Sequence, residues 1–213
     1  TIEEITEESY GPLKALCENE VTKVFGENAL IVRPGLIVGP YTPSGRFTYW
    51  VKRLHEGGKV LIPGEEKLKT QFIDVRDLAG WIIEKIEEKL SGTYNVTGPE
   101  QDLAFEELMQ NISKIYEKDY DFVKVPDNFL LENQVIPYME LPLWIPQTEE
   151  KYQGFDSVSI QKALEQGLKF RPLKNTILDT LDWYSSLEKQ NFPAGMKAER
   201  EEELIMKWEK GQK

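Results

Sequence analysis

Residues 29–40 read Ala-Leu-Ile-Val-Arg-Pro-Gly-Leu-Ile-Val-Gly-Pro, and no other stretch narrows the folds open to this chain as much. A near-continuous aliphatic run closed by a Gly-Pro break has no polar face to offer water. Such a run suits a strand of a parallel sheet covered on both sides. Arg33 and Pro34 interrupt it, and it is too short to span a bilayer. Downstream, strand-like runs at 60–62, 70–73 and 92–97 alternate with helical patterns at 46–56 and from Asp74 to about Leu90. That alternation predicts an α/β fold. Open sheets of this class hold ligands at the carboxyl ends of strands of this type.

Composition agrees with a globular protein of this kind. The chain has 213 residues, 40% hydrophobic and 30% charged. A net charge of -11 argues against nucleic acid or an anionic membrane surface as partner. One cysteine, Cys17, excludes an internal disulfide framework and fits a reducing compartment. The acidic start over residues 1–9 reads as loop without the shape of a signal peptide, so a cytoplasmic location is expected.

A helix is predicted from Ser9, as its cap, to about Phe25, with Pro12 in its first turn. Leu13, Leu16, Cys17, Val21 and Val24 form one stripe on it, which gives Cys17 a packing role. Tyr10 and Lys14, four residues apart, fall inside that stripe. A phenol is a poor base at neutral pH, and a neighbouring ammonium favours its ionised form. The pair therefore has the ingredients of a proton-transfer site. The alternative is a lysine that runs its methylenes along the surface to reach water.

Elsewhere the residues admit plainer readings. Asp74 and Asp77 resemble a capping box at a helix start. His55 precedes the Gly57-Gly58 stop of the helix over 46–56 and reads as structural. Arg46 can be a solvated helix-start residue or a contact for a phosphate or carboxylate. A helix is predicted from Phe105, a strand at 120–126, and helices over 157–166, 173–188 and 198–209, the last heavily charged. Between them, residues 126–154 carry four prolines among Tyr138, Leu141, Leu143 and Trp144, a pattern suited to a lid or pocket wall. No metal-ligand spacing is visible.

Taken in order, Tyr10-Gly-Pro-Leu-Lys14, Arg33-Pro-Gly-Leu-Ile-Val-Gly-Pro40, Gln71-Phe-Ile-Asp-Val-Arg-Asp-Leu-Ala79 and Gly92-Thr-Tyr-Asn-Val96 resemble the extended short-chain dehydrogenases/reductases, the NAD-dependent epimerase/dehydratase group. Gly167-Leu-Lys-Phe-Arg-Pro-Leu173 and Thr180-Leu-Asp-Trp183 look like that family's C-terminal stretch. The resemblance implies that Tyr10 is the acid/base and that Lys14 eases its ionisation and bonds the nicotinamide ribose of NAD or NADP. It implies that Pro34, Gly35, Leu36 and Val38 lie against the cofactor. It also places Arg46, Tyr138 and Trp144 toward a small-molecule substrate, with a sugar derivative as one option and a homodimer as one option for assembly.

The glycine-rich turn that binds the dinucleotide, and the Ser/Thr that hydrogen-bonds the substrate oxygen, are missing from this sequence. The expected architecture is thus the C-terminal portion of a doubly wound Rossmann-type fold plus a smaller mixed α/β lobe. Residues 1–40 and 70–98 would belong to the dinucleotide-binding domain, and 41–69 and 99–190 to the substrate lobe. Residues 191–213 would form a charged helix. Such a portion is expected to have little activity alone. The alternatives are a non-catalytic binding or regulatory member of the fold family and a self-standing domain.

Overall fold

The computed structural model describes residues 6–64, 68–148, 150–152, 154–188 and 191–212. The acidic residues 1–5 lie outside it, and from Thr6 onward the chain is helical rather than loop. Thr6, not Ser9, caps helix α1 (Glu7–Phe25). Its Oγ1 accepts from the Ser9 amide at 3.2 Å, while Ser9 Oγ accepts from the Thr6 amide at 2.7 Å. This reciprocal box starts the helix a turn early, so Pro12 lies inside the helix instead of at its opening.

The aliphatic run is two strands, not one. Strand β1 (Leu30–Pro34) pairs in parallel with β5 (Gly92–Val96), and β2 (Leu36–Val38) pairs in parallel with β4 (Phe72–Asp74). The chain changes partner at Gly35. A Cβ there would lie 2.2 Å from Thr97 Oγ1, so the crossing demands glycine. The expected burial is also incomplete: Leu30, Ile31 and Val32 are half-buried and Ile37 is exposed, while Val38 is buried.

Helix α2 (Arg46–Glu56) has the predicted bounds and buries Phe47, Trp50, Val51 and Leu54. It packs with α4 (Phe105–Tyr116) beside the parallel pair β3 (Gly58–Pro63) and β6 (Tyr120–Val125). Trp50 and Phe105 meet edge-to-face at 5.1 Å, and the Trp50 indole donates to Pro142 O at 2.7 Å. Side chains from the stretch 126–148 complete this core. The short α5 (Asp127–Glu132) forms there unforeseen, and Leu130, Leu141, Leu143 and Trp144 are all fully buried.

A second apolar cluster lies under α3 (Val75–Glu87), where Leu78 and Trp81 meet Ile73, Tyr94, Val96, Ala163 and Leu168. The helix predicted over 157–166 shrinks to α6 (Gln161–Glu165), because neighbours use the preceding backbone. The Gln71 side-chain amide bonds both N–H and C=O of Val158 at 3.0 Å, and Asn95 takes the Ser159 carbonyl at 3.1 Å. Helix α7 (Leu173–Ser185) follows. The last helix, α8 (Ala198–Gly211), is charged as expected, yet it packs against β3 and buries Glu201, Leu204 and Ile205.

Candidate active site

A cleft of about 880 Å³ opens between α1 and the ends of β1 and β2. Tyr10, Lys14 and Glu18 line one wall, one turn of α1 apart from each other. Pro34, Gly35, Leu36 and Val38 line the other, and the loop from Pro40 to Ser44 with Arg46 forms the rim. Six of the expected site positions, Tyr10, Lys14, Pro34, Gly35, Leu36 and Val38, therefore converge on one cavity, and Arg46 joins them.

The helix wall is not buried as its apolar stripe suggests. Tyr10 is 61% and Val24 74% exposed; Leu16, Val21, Phe25 and Lys14 face solvent too, and so does Cys17, whose expected packing role is not realised. Among the described elements, none packs extensively over this face of α1. Its tie to the sheet is an ion pair: Arg33 Nε donates to Glu18 Oε1 at 2.7 Å. That guanidinium, hydrogen-bonded to Glu18 and aided by its own charge and that of Lys14, holds the carboxyl below the usual range despite some desolvation. No spacing rule links Glu18 to Arg33, fifteen residues on, so the pair could not be foreseen.

Arg46 sits at the start of α2, where Gly45, in the left-handed region, is the cap. Its Nε donates to Tyr138 O at 2.9 Å, and its guanidinium lies 4.7 Å from the centre of the Tyr138 ring. Tyr138 stands behind Arg46 and steadies it. Burial above all, with the charge of Asp156 added and that of Arg46 opposing, pushes the Tyr138 hydroxyl up to about 12. Trp144 is placed differently from expectation. It is 0% exposed and its indole donates to Asp127 Oδ1 at 2.7 Å, so it belongs to the main core and not to a substrate surface.

Asp74 caps α3 through the Arg76 amide at 2.9 Å, but Asp77 does not close a capping box. Its carboxylate instead holds the Arg171 amide at 2.9 Å and guanidinium at 2.8 Å. His55 lies on the last turn of α2, its ring edge-on to Tyr116 at 5.2 Å. The loop from Tyr41, expected on the substrate side as part of 41–69, contributes Tyr41 to the rim, although the residue was not singled out among the site positions. Among the described residues, no helix is long and apolar enough to cross a membrane.

Residues 3–97 match the model of the NAD dependent epimerase/dehydratase family. The fold of the chain is similar to that of several solved structures. It is similar to the structure of RMD from Pseudomonas aeruginosa complexed with NADPH, with 15% identity, a TM-score of 0.56, and coverage of 87% of this chain and 63% of that one. It is also similar to Thermus thermophilus UDP-glucose 4-epimerase in complex with NAD, at 18% identity and TM-score 0.55, covering 87% of this chain and 59% of that one. A third is the UDP-N-acetylglucosamine 4-epimerase from Methanobrevibacter ruminantium in complex with UDP-N-acetylmuramic acid, at 17% identity and TM-score 0.56, covering 87% of this chain and 58% of that one. The chain thus spans between 58% and 63% of the length of these three structures. No curated protein matches it.

Tyr10, Lys14 and residues 34–38 would suit the nicotinamide-ribose end of a dinucleotide. A hydroxyl and an ammonium on the α1 wall face an apolar strand-end wall, which is what a ribose and a flat ring require. The chain's own sequence has no glycine-rich turn to cradle a pyrophosphate.

Proposed function

We propose that these residues form the acid/base and substrate-side part of an NAD(P)-dependent enzyme of epimerase, dehydratase or reductase type, acting at a hydroxyl/carbonyl carbon. The observation that carries this reading is the convergence of Tyr10 and Lys14 with residues 34–38 on a single cleft. Tyr10 Oη gives a proton to, or takes one from, the substrate oxygen. Lys14, one turn further along α1, lines the same wall and bonds the ribose. Residues 34–38 form an apolar wall that keeps water from the reacting carbon. NAD(P), when bound, supplies or accepts the hydride. Arg46, already oriented by the Tyr138 carbonyl, has guanidinium N–H groups for an anionic substrate group. The sugar-nucleotide complexes among the similar structures, such as the Thermotoga maritima epimerase with UDP-glucose, support a sugar-derived substrate.

The test is Tyr10→Phe in the full-length protein. Turnover should fall by about 10² or more, the scale of general acid–base catalysis, with folding unchanged. A second reading, a non-catalytic module of the same fold, draws on the exposure of Tyr10 and the lack of a glycine-rich turn in these residues. Unaltered turnover in Tyr10→Phe would remove Tyr10 from the chemistry, whereas no turnover in the full-length wild type would favour the module. On the first reading, the chain by itself binds NADH or NADPH weakly in a titration.

A further inference from the structure

The guanidinium of Arg46 is held on several sides with no ligand present. Nε donates to Tyr138 O at 2.9 Å, Nη2 donates to Met139 Sδ at 3.1 Å, and the Tyr138 ring lies 4.7 Å away. The turn that supplies these contacts is ninety-two residues from Arg46 in sequence. Tyr138 adopts the left-handed region there, at φ 62, a conformation that a bulky residue keeps only when its surroundings enforce it. One such constraint is the Tyr138 amide, which donates to Trp144 O at 2.9 Å. A second comes from the segment 192–196, between α7 and α8. The Gly195 amide donates to Met139 O at 2.8 Å, and the adjacent Ala194 amide donates to Ser44 O at 3.3 Å. Two neighbouring amides thus tie the turn that grips the guanidinium to the loop that carries the arginine's own backbone. The segment is closely seated on α2 and its cap. A Cβ on Gly45 would lie 2.5 Å from Phe192, and one on Gly195, at φ 126, would lie 2.7 Å from the Tyr49 ring.

We infer that residues 192–196 are a staple, with Gly195 as its positioning residue, that fixes Arg46 to receive the anionic group of a ligand in the cleft. This inference rests on the proposed reading of the cleft as a substrate site. A long side chain fixed beforehand has already given up the rotamer freedom that binding would otherwise cost. With Nε taken by the Tyr138 carbonyl, the fork is also held in one orientation for an incoming anion. None of residues 192–196 lines the cleft. Their effect on binding therefore passes through Arg46, and that dependence can be measured.

The experiment uses the full-length protein with excess NADH and NADPH, so that a dinucleotide site is filled, and inorganic pyrophosphate as the anionic probe. Calorimetry compares wild type, Gly195→Ala, Arg46→Ala and the double variant. Gly195→Ala should bind pyrophosphate about tenfold more weakly, the worth of about one hydrogen bond. In the Arg46→Ala background the same change should have no further effect. In protein labelled with 15N-arginine, the Arg46 Nε–H should exchange with water about tenfold faster in Gly195→Ala. The Arg171 Nε–H, bonded to Asp77, should exchange as in wild type. Phe192→Ala, which loosens the segment at its other end, should act in the same direction, and it decides the matter if Gly195→Ala does not fold. An unchanged Arg46 exchange rate overturns the staple. Equal losses of affinity with and without Arg46 overturn it too, since the segment would then be a general support. Pyrophosphate that wild type does not bind, or that Arg46→Ala binds equally well, sinks the anion-contact reading instead. The exchange rate of Arg46 then still decides whether residues 192–196 position it.

Discussion

Asp74 is the residue in which most of the local structure meets. It is buried, caps α3, accepts from the Thr176 hydroxyl and pairs with Arg76 Nη2 at 2.8 Å. Burial alone would raise its carboxyl, but the hydrogen bonds from Arg76 and Thr176 and the charge of Arg171 outweigh it and hold the group below its ordinary range. A carboxyl depressed in the folded state contributes stability that is present above its unfolded value, near pH 4, and lost as pH falls through the folded one. Asp74→Asn should therefore cost about 2 kcal/mol at pH 7, and the difference from wild type should shrink in melts below about pH 4. Asp156 shows the opposite sign. Burial pushes it up to about 7 although a backbone hydrogen bond from Gln71 works against the shift. A raised carboxyl stabilises the fold at low pH and loses that contribution as pH rises through about 7. Its φ of 56 suits asparagine, so Asp156→Asn should raise stability at pH 8 by on the order of 1–2 kcal/mol and have little effect at pH 4. Melts of the variant at the two pH values check this; an equal gain at both would show the charge is not the cause.

The elements show which patterns a sequence can carry. Helix α2 was legible to the residue because a 3.6-residue apolar period and a Gly-Gly stop are local signals. The split of the aliphatic run at Gly35 was not, because it depends on Thr97, sixty-two residues away. The stretch 126–148 misled for the same reason: prolines read as loop, while Leu130, Leu141 and Trp144 are buried in one cluster with residues distant in sequence such as Trp50 and Leu61. In the site, the Tyr-x-x-x-Lys spacing and the strand-end segment were visible in sequence; the exposure of α1 was not, since an apolar stripe says nothing about what covers it. Helix α8 is the sharpest case. Its charge suggests a solvated appendage, yet Glu201 is buried, accepts from the Leu61 amide at 2.9 Å and pairs with Arg53 at 2.6 Å. Removing one partner of such a pair strands the other. Glu201→Gln should cost about 2–3 kcal/mol, a fall of about 5–10 °C in Tm. A change within a degree would mean that α8 contributes little to holding β3.

At the scale of the molecule, stability is unevenly spread. Trp50, Leu54, Leu61, Leu108 and Leu130 anchor one continuous core, whereas α1 offers Leu16, Val21, Val24 and Phe25 to solvent. A helix of 19 residues is only marginally stable in water on its own propensity. The Arg33–Glu18 pair that ties it down has side chains 55% and 25% exposed, so it adds at most about 1 kcal/mol. The amides of α1 should accordingly exchange hydrogen well before those of α2, α4 and β3 in a native-state exchange experiment on this chain. Cys17 provides an independent probe on the same helix. Being exposed, it should react with an aromatic disulfide in the folded state as fully as after unfolding. A slow reaction at high protein concentration that speeds up on dilution would mean that copies of the chain cover the α1 face. Protection that is independent of concentration would mean instead that α1 is held by the chain itself. In that case the helix wall of the cleft would be rigid, and the positions of Tyr10 and Lys14 would need no further support.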